Sequence, residues 1–184
     1  MCCLCVLLCG YYYIEKELTV AENSIESVPY YSYPEKKGIL FNICGEKTLI
    51  HLDFEGGLLS VVFADEFEPT DELYGYSIDY NIAGDYSLVG EIVDLLGGIE
   101  ITTEETTLSY TGVQIKELLE TTPQNLALRR NIIDSITKEI SMNGFYKEDF
   151  MRIIELSQTN LTFPDCYYWS QYISDVCKTV RFIN

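Results

Sequence analysis

Basic residues are scarce in this chain. Its 184 residues include 12 Lys and Arg against 29 Asp and Glu, giving a formal net charge of -17. So acidic a chain is repelled by nucleic-acid phosphates and anionic membrane surfaces, which makes both poor candidates for a primary partner. Histidine occurs once, at His51, and although Cys2 and Cys5 stand at C-x2-C spacing, no second such pair or second histidine follows later in the chain to complete a zinc-finger pattern, which argues against a zinc site. The odd cysteine count also argues against a closed disulfide framework. No G-x-S-x-G nucleophile elbow is present, and no acidic stretch has EF-hand spacing. Disorder is excluded too, because 15 Tyr, 8 Phe and plentiful Ile, Leu and Val can build a core. The length fits one domain.

What is present begins with an apolar run from Met1 to Ile14 that holds Cys2, Cys3, Cys5 and Cys9. At about 1.5 Å per residue it is too short to cross about 30 Å of hydrocarbon, and it lacks the basic start of a signal peptide. Two readings remain for 1–14. It is the remnant of a membrane anchor, with Tyr11, Tyr12 and Tyr13 at the interface, or an apolar tail folded onto the domain. The first is favoured. Residues 15–37, with Pro29, Pro34, several Tyr and mixed charges, read as a stalk or irregular segment.

From Gly38 the pattern sharpens. Ile39–Ile43, Thr48–Phe54 and Leu58–Ala64 are β-prone, with Gly56-Gly57 turning the second into the third. Ser77–Ala83 is a further strand. Asp85 caps a helix whose Leu88, Val89, Ile92, Val93 and Leu96 recur at helical spacing, and Gly97-Gly98 ends it. Ile99–Ile101 is a strand and Thr111–Glu120 a short helix. Pro123 opens a longer helix with a buried stripe of Leu128, Ile132, Ile133, Ile136 and Ile140, ended by Gly144. Helices follow over Lys147–Ser157 and Pro164–Cys177. Strands early and helices late predict a mixed sheet covered by helices.

Several segments keep an order seen elsewhere. They are Ile78-Asp79-Tyr80, then Ile92-Val93-Asp94-Leu95-Leu96-Gly97-Gly98-Ile99-Glu100-Ile101, then Tyr110-Thr111-Gly112-Val113-Gln114. Arg130-Asn131-Ile132-Ile133 and Thr159-Asn160-Leu161-Thr162 with Asp165 complete the series. Together, from about Gly38 to Cys177, they resemble the LytR–CpsA–Psr family of bacterial cell-envelope proteins. The resemblance implies an α/β fold, a three-layer α/β/α sandwich with a central mixed sheet, over residues 38–184. It further implies a membrane-anchored domain on the extracytoplasmic face of the cell membrane. Such a domain holds a polyprenyl-pyrophosphate glycopolymer and transfers it to peptidoglycan. That phosphoryl transfer needs arginines, and usually Mg²⁺, against the phosphate charge.

The chain departs from the family at the residues that carry this chemistry. Ala64-Asp65-Glu66 stands where the family reads Pro-Arg-Asp, and Lys47 stands where it places Asp. Glu120 and Ala127 replace arginines. Arg129 and Arg130 alone remain near the site as candidate substrate-binding residues, in one reading an anion contact at a helix N-terminus and in another a surface pair balancing Asp134. By helix geometry Arg129 lies over the Ile133/Ile136 side and Arg130 is turned away. The Ala64–Ser77 stretch is shorter than the family's, which argues against a surviving lipid groove. Between Thr48 and Ile115 there is no Lys or Arg but there are fourteen Asp or Glu. Asp94, placed against its own helix dipole, calls for a structural partner such as backbone N–H groups. His51 reads as structural, the Asp65–Glu72 run as a solvated loop, and Asn160-Leu161-Thr162 as a chance glycosylation pattern.

The expectation is therefore an envelope domain that has lost transferase chemistry and serves as a binding or regulatory module. No catalytic residue and no metal ligand is assigned. One alternative is an active metal-dependent glycopolymer phosphotransferase, with Mg²⁺ held by Asp65 and Glu66. Another is a soluble acidic interaction protein.

Overall fold

The computed structural model describes residues 36–64, 72–73, 75–102 and 106–183, all within the compact unit Pro34–Asn184. The Met1–Ile14 run, the Glu15–Glu35 part of the stalk and Asp65, Glu66, Glu68 and Asp71 lie outside the described residues. No helix among the described residues is long and apolar enough to cross a membrane.

Three alternating segments form an antiparallel meander: β1 (Lys36–Ile43), β2 (Glu46–Asp53) and β3 (Leu58–Phe63). Because side chains alternate across a strand, Ile39, Phe41, Ile43, Ile50, Leu52, Leu59 and Val61 share one face. Leu40, Leu49 and Val62 share the other and join Ala64 in a smaller buried cluster. The short β4 (Glu72–Leu73) and β5 (Tyr76–Ser77) pair with each other. Next, β6 (Tyr80–Gly84) lies parallel to β1. The single strand expected over Ser77–Ala83 is thus broken at Ile78-Asp79. There the Asp79 carboxylate accepts from Gly38 N at 2.8 Å, Ser77 Oγ at 3.0 Å and Lys37 Nζ at 3.2 Å.

Helix α1 (Tyr86–Leu95) starts at Asp85, whose carboxylate accepts from Ser87 N at 2.8 Å. It ends at Gly97 and Gly98, which have φ of 81° and 102°. Ile99–Thr102 is β7, but it pairs with the unanticipated β8 (Thr107–Tyr110) in a separate hairpin, not with the central sheet. Thr111 and Gln114 form a capping box for α2 (Gly112–Thr121). The long helix α3 (Leu126–Asn143) begins three residues later than Pro123, because Asn125 supplies the cap by accepting from Leu128 N at 3.0 Å.

After α4 (Lys147–Leu156) and β9 (Gln158–Thr159), the helix expected over Pro164–Cys177 divides into α5 (Phe163–Ser170) and α6 (Ile173–Val176). Gln171 N and Tyr172 N reach back three residues, to Tyr168 O and Trp169 O, and this tight turn ends α5. The final strand, β10 (Val180–Ile183), lies parallel to β3. The sheet order is β10-β3-β2-β1-β6-β9. This is the α/β fold with a central mixed sheet that the sequence predicts.

Each of α1 to α6 contributes buried apolar side chains to the Ile39/Leu52/Val61 face. Helices α1 and α2 cross at two glycines: a Cβ on Gly112 would lie 2.1 Å from Gly90 O, and one on Gly90 2.8 Å from Gly112 O. Asp94 Oδ1 accepts from Gly112 N at 2.7 Å at the same crossing, so the partner expected for Asp94 is this backbone N–H. Asn160 is also structural, since its amide accepts from Asn81 N at 2.7 Å and donates to Asp79 O at 3.2 Å.

Two predictions follow from these contacts. Gly112→Ala forces backbone against backbone and is expected to cost about 1–3 kcal/mol in urea denaturation. Burial alone pushes the Asp79 carboxyl up, but the Gly38 N–H, Lys37 and Ser77 more than reverse this and hold it below its ordinary value. With the folded-state value depressed, the stabilisation is complete above the ordinary carboxylate range and disappears as pH falls through the folded value. The stability gap between wild type and Asp79→Asn should therefore close on acidification, as read from urea midpoints at stepped pH.

Candidate functional site

A cavity of about 190 Å³ lies between the sheet and the helices. Its floor is Ile39, Phe41 and Ile43 of β1 with Ile50 and Leu52 of β2. Its roof is the inward stripe of α3 (Ile132, Ile133, Ile136, Ile140), and Val89, Phe145, Phe150, Ile153, Trp169 and Ile173 close the sides. The short Ala64–Ser77 stretch argues against such a space, yet the space is present. It is built from the strand and helix faces themselves, so the length of that loop does not decide it.

Polarity enters with a few residues: Glu46, Thr48, Tyr86, Arg129 and Thr137. Thr137 Oγ1 is turned back to Ile133 O and Asp134 O on its own helix, each at 2.9 Å. The other four converge. Arg129, only 6% exposed, donates from Nη2 to Thr48 Oγ1 at 2.9 Å, and its Nε stands 3.6 Å from Glu46 Oε2. Its guanidinium carbon lies 4.9 Å from the Phe63 ring centre, a cation–π contact. Tyr86, at the start of α1, hydrogen-bonds Glu46. Burial first, and then the Glu46 charge, push the Tyr86 hydroxyl up to about 12, so it stays protonated.

The two candidate arginines part company. Arg129 faces the cavity. Arg130 is exposed and lies 4.4 Å from the Phe182 ring centre, over β10. Arg152 on α4 pairs with Glu91 of α1 at 2.9 Å and Glu155 at 3.3 Å. Lys47 points to the sheet face opposite the cavity, by strand alternation from Glu46 and Thr48. Arg129 is thus the one Lys or Arg among the described lining residues. His51 sits on that opposite face, buried, with its ring 4.5 Å from Tyr76; burial lowers its pKa.

No group of three or more His, Cys, Asp or Glu among the described residues is placed to hold a metal ion. Glu46, the one carboxylate in the described lining, is paired with Arg129, so the described residues do not fit a Mg²⁺ site. Cys177 lines the cavity and Cys166 is buried nearby in sequence; burial pushes both thiols up to about 12, which makes them poor nucleophiles. Sequence reasoning missed Glu46, Thr48 and Tyr86. Thr48 and Glu46 alternate inward along β2, a signal that was legible, but only the fold brings Tyr86 and Arg129 to them.

No protein-family model matches the chain, and no curated protein matches it. Solved structures do. The Lin1025 protein from Listeria innocua aligns over 82% of both chains with a TM-score of 0.60 and 14% identity. TagV of B. subtilis aligns over 82% of this chain and 84% of its own, with a TM-score of 0.56 and 12% identity. TagT, in a structure bound to LI-WTA, covers 85% and 83% with a TM-score of 0.58 and 11% identity. At such identities the likeness is one of fold. The chain has a LytR–CpsA–Psr-like α/β fold with an apolar cavity and one buried arginine.

The Arg129–Glu46 pair should reveal itself in stability. Arg129→Met removes the guanidinium from the half-buried Glu46 and from Thr48 and is expected to cost about 1–3 kcal/mol. Adding Glu46→Gln should recover part of that loss, giving a non-additive double-mutant cycle in urea denaturation.

Proposed function

We propose that this chain is a divergent cell-envelope module of LytR–CpsA–Psr type that holds an isoprenoid lipid and does not transfer a glycopolymer. The observation that carries the reading is the cavity: an apolar space walled by strand and helix faces, with a single polar end. Ligand sites of this kind are mostly apolar with a few converging polar groups. TagT, which shares the fold, has been seen bound to LI-WTA.

The absence of transfer is argued from charge. Phosphoryl transfer depends on cations preorganised around phosphate oxygens, and losing one such contact typically costs about 10²–10³ in rate. In the described lining Arg129 stands without a second cation, and Glu46 already matches its charge. Arg130 and Arg152 are engaged elsewhere. Placement on the extracytoplasmic face of the cell membrane, with Met1–Ile14 as tether, belongs to the same proposal. It is supported by the uncharged run through Ile14 and its three tyrosines.

Trp169 is the chain's one tryptophan, and it lines the cavity. Titration with a polyprenol or its phosphate esters in nonionic detergent should therefore change its emission saturably. Ile136→Phe, which narrows the cavity from its roof, should weaken that change. An assay with lipid-pyrophosphate glycopolymer, peptidoglycan acceptor and Mg²⁺ should show no turnover. Turnover would refute the non-transferring reading, and a silent titration would refute the lipid site.

A further inference from the structure

At the polar end of the cavity the described lining carries one charge of each sign. Arg129 brings one positive charge and Glu46, 3.6 Å away, one negative charge. Thr48 accepts a guanidinium hydrogen at 2.9 Å, the Phe63 ring covers the guanidinium, and the Tyr86 hydroxyl hydrogen-bonds the carboxylate. The rest of the described lining is aliphatic or aromatic apart from Thr137, which bonds its own helix, and the Cys177 thiol.

We propose that Glu46 sets head-group selectivity: as the internal counter-ion of Arg129 it makes the cavity take an isoprenoid alcohol in preference to the pyrophosphate ester of the same chain. This rests on the lipid-binding reading above and names the form of the lipid. A pyrophosphate entering this end would bring at least two negative charges beside a carboxylate, in surroundings of low dielectric where like charges repel strongly. It would have to compete with Glu46 for the one guanidinium in the described lining. A hydroxyl head has no such conflict. It donates to a carboxylate and accepts from a guanidinium or a hydroxyl, so it joins an ion pair without unbalancing it. Buried polar groups reward a partner that matches them and penalise one that leaves a charge uncompensated.

The test uses the full chain and three probes of equal tail length, a polyprenol, its monophosphate and its pyrophosphate, each in nonionic detergent. Binding is read from Trp169 emission and checked by calorimetry. Wild type is expected to bind the alcohol at least about tenfold more tightly than the pyrophosphate. Glu46→Gln keeps the shape and hydrogen bonding but removes the charge. It should shift the ratio by about tenfold or more toward the pyrophosphate, whereas Glu46→Asp should keep the wild-type order. Pyrophosphate bound as tightly as the alcohol by wild type, or a ratio unchanged in a folded Glu46→Gln, overturns the proposal. Should Glu46→Gln fail to fold, the wild-type ranking decides alone. Binding in the opposite order removes this inference and leaves the lipid site standing; no binding of any of the three removes both.

Discussion

The guanidinium of Arg129 carries a full charge into a space walled by isoleucine and phenylalanine, and its surroundings are arranged to make that tolerable. Removing such an ion from water costs several kcal/mol, which is offset only by a close opposite charge and well-made hydrogen bonds. Glu46, Thr48 and the face of Phe63 supply these. The same side chain runs from α3 to β2 and so ties the roof of the cavity to its floor. Shortening it would both strand a carboxylate and release the helix from the strand.

Around that tie the charge distribution reads consistently. The chain is strongly acidic, yet its two other arginines near the helical layer are drawn outward, Arg130 onto an aromatic ring and Arg152 into a bridge between α1 and α4. Among the described residues, the cavity lining is mostly hydrocarbon around the Arg129–Glu46 pair. Protein interiors are normally packed to crystal density, and unfilled apolar space forfeits dispersion contacts. A fold that keeps such a space between well-formed layers recovers dispersion contacts when an apolar group fills it.

Much of the fold could be read from local signals. The meander follows from alternation and Gly56-Gly57, α1 from Asp85 and its apolar spacing, and the end of α3 from Gly144. Misreadings arose where a side chain redirected the backbone. Asp79 interrupted a strand by taking over three hydrogen bonds, and Asn125 displaced Pro123 as the start of α3. β8 and β10 escaped notice because short strands gain definition only from the strand each meets, β7 and β3. The site was legible in part. Helical spacing assigns Arg129 and Arg130 to different faces, but their partners come from β2 and β10, far away in sequence. Nothing local shows that Glu46 will meet Arg129.

The glycine crossing of α1 and α2 constrains how this sequence can drift. Each glycine is held by the carbonyl of the other, and the Asp94 carboxylate lies over the same point, so a methyl group at either position collides with peptide rather than with a yielding side chain. A larger residue can be accommodated only if the helices separate, and separation breaks the Asp94 bond and opens the packing beneath both. The cavity walls, made of aliphatic groups, can exchange among side chains of similar volume, whereas at this seam an added methyl group meets backbone.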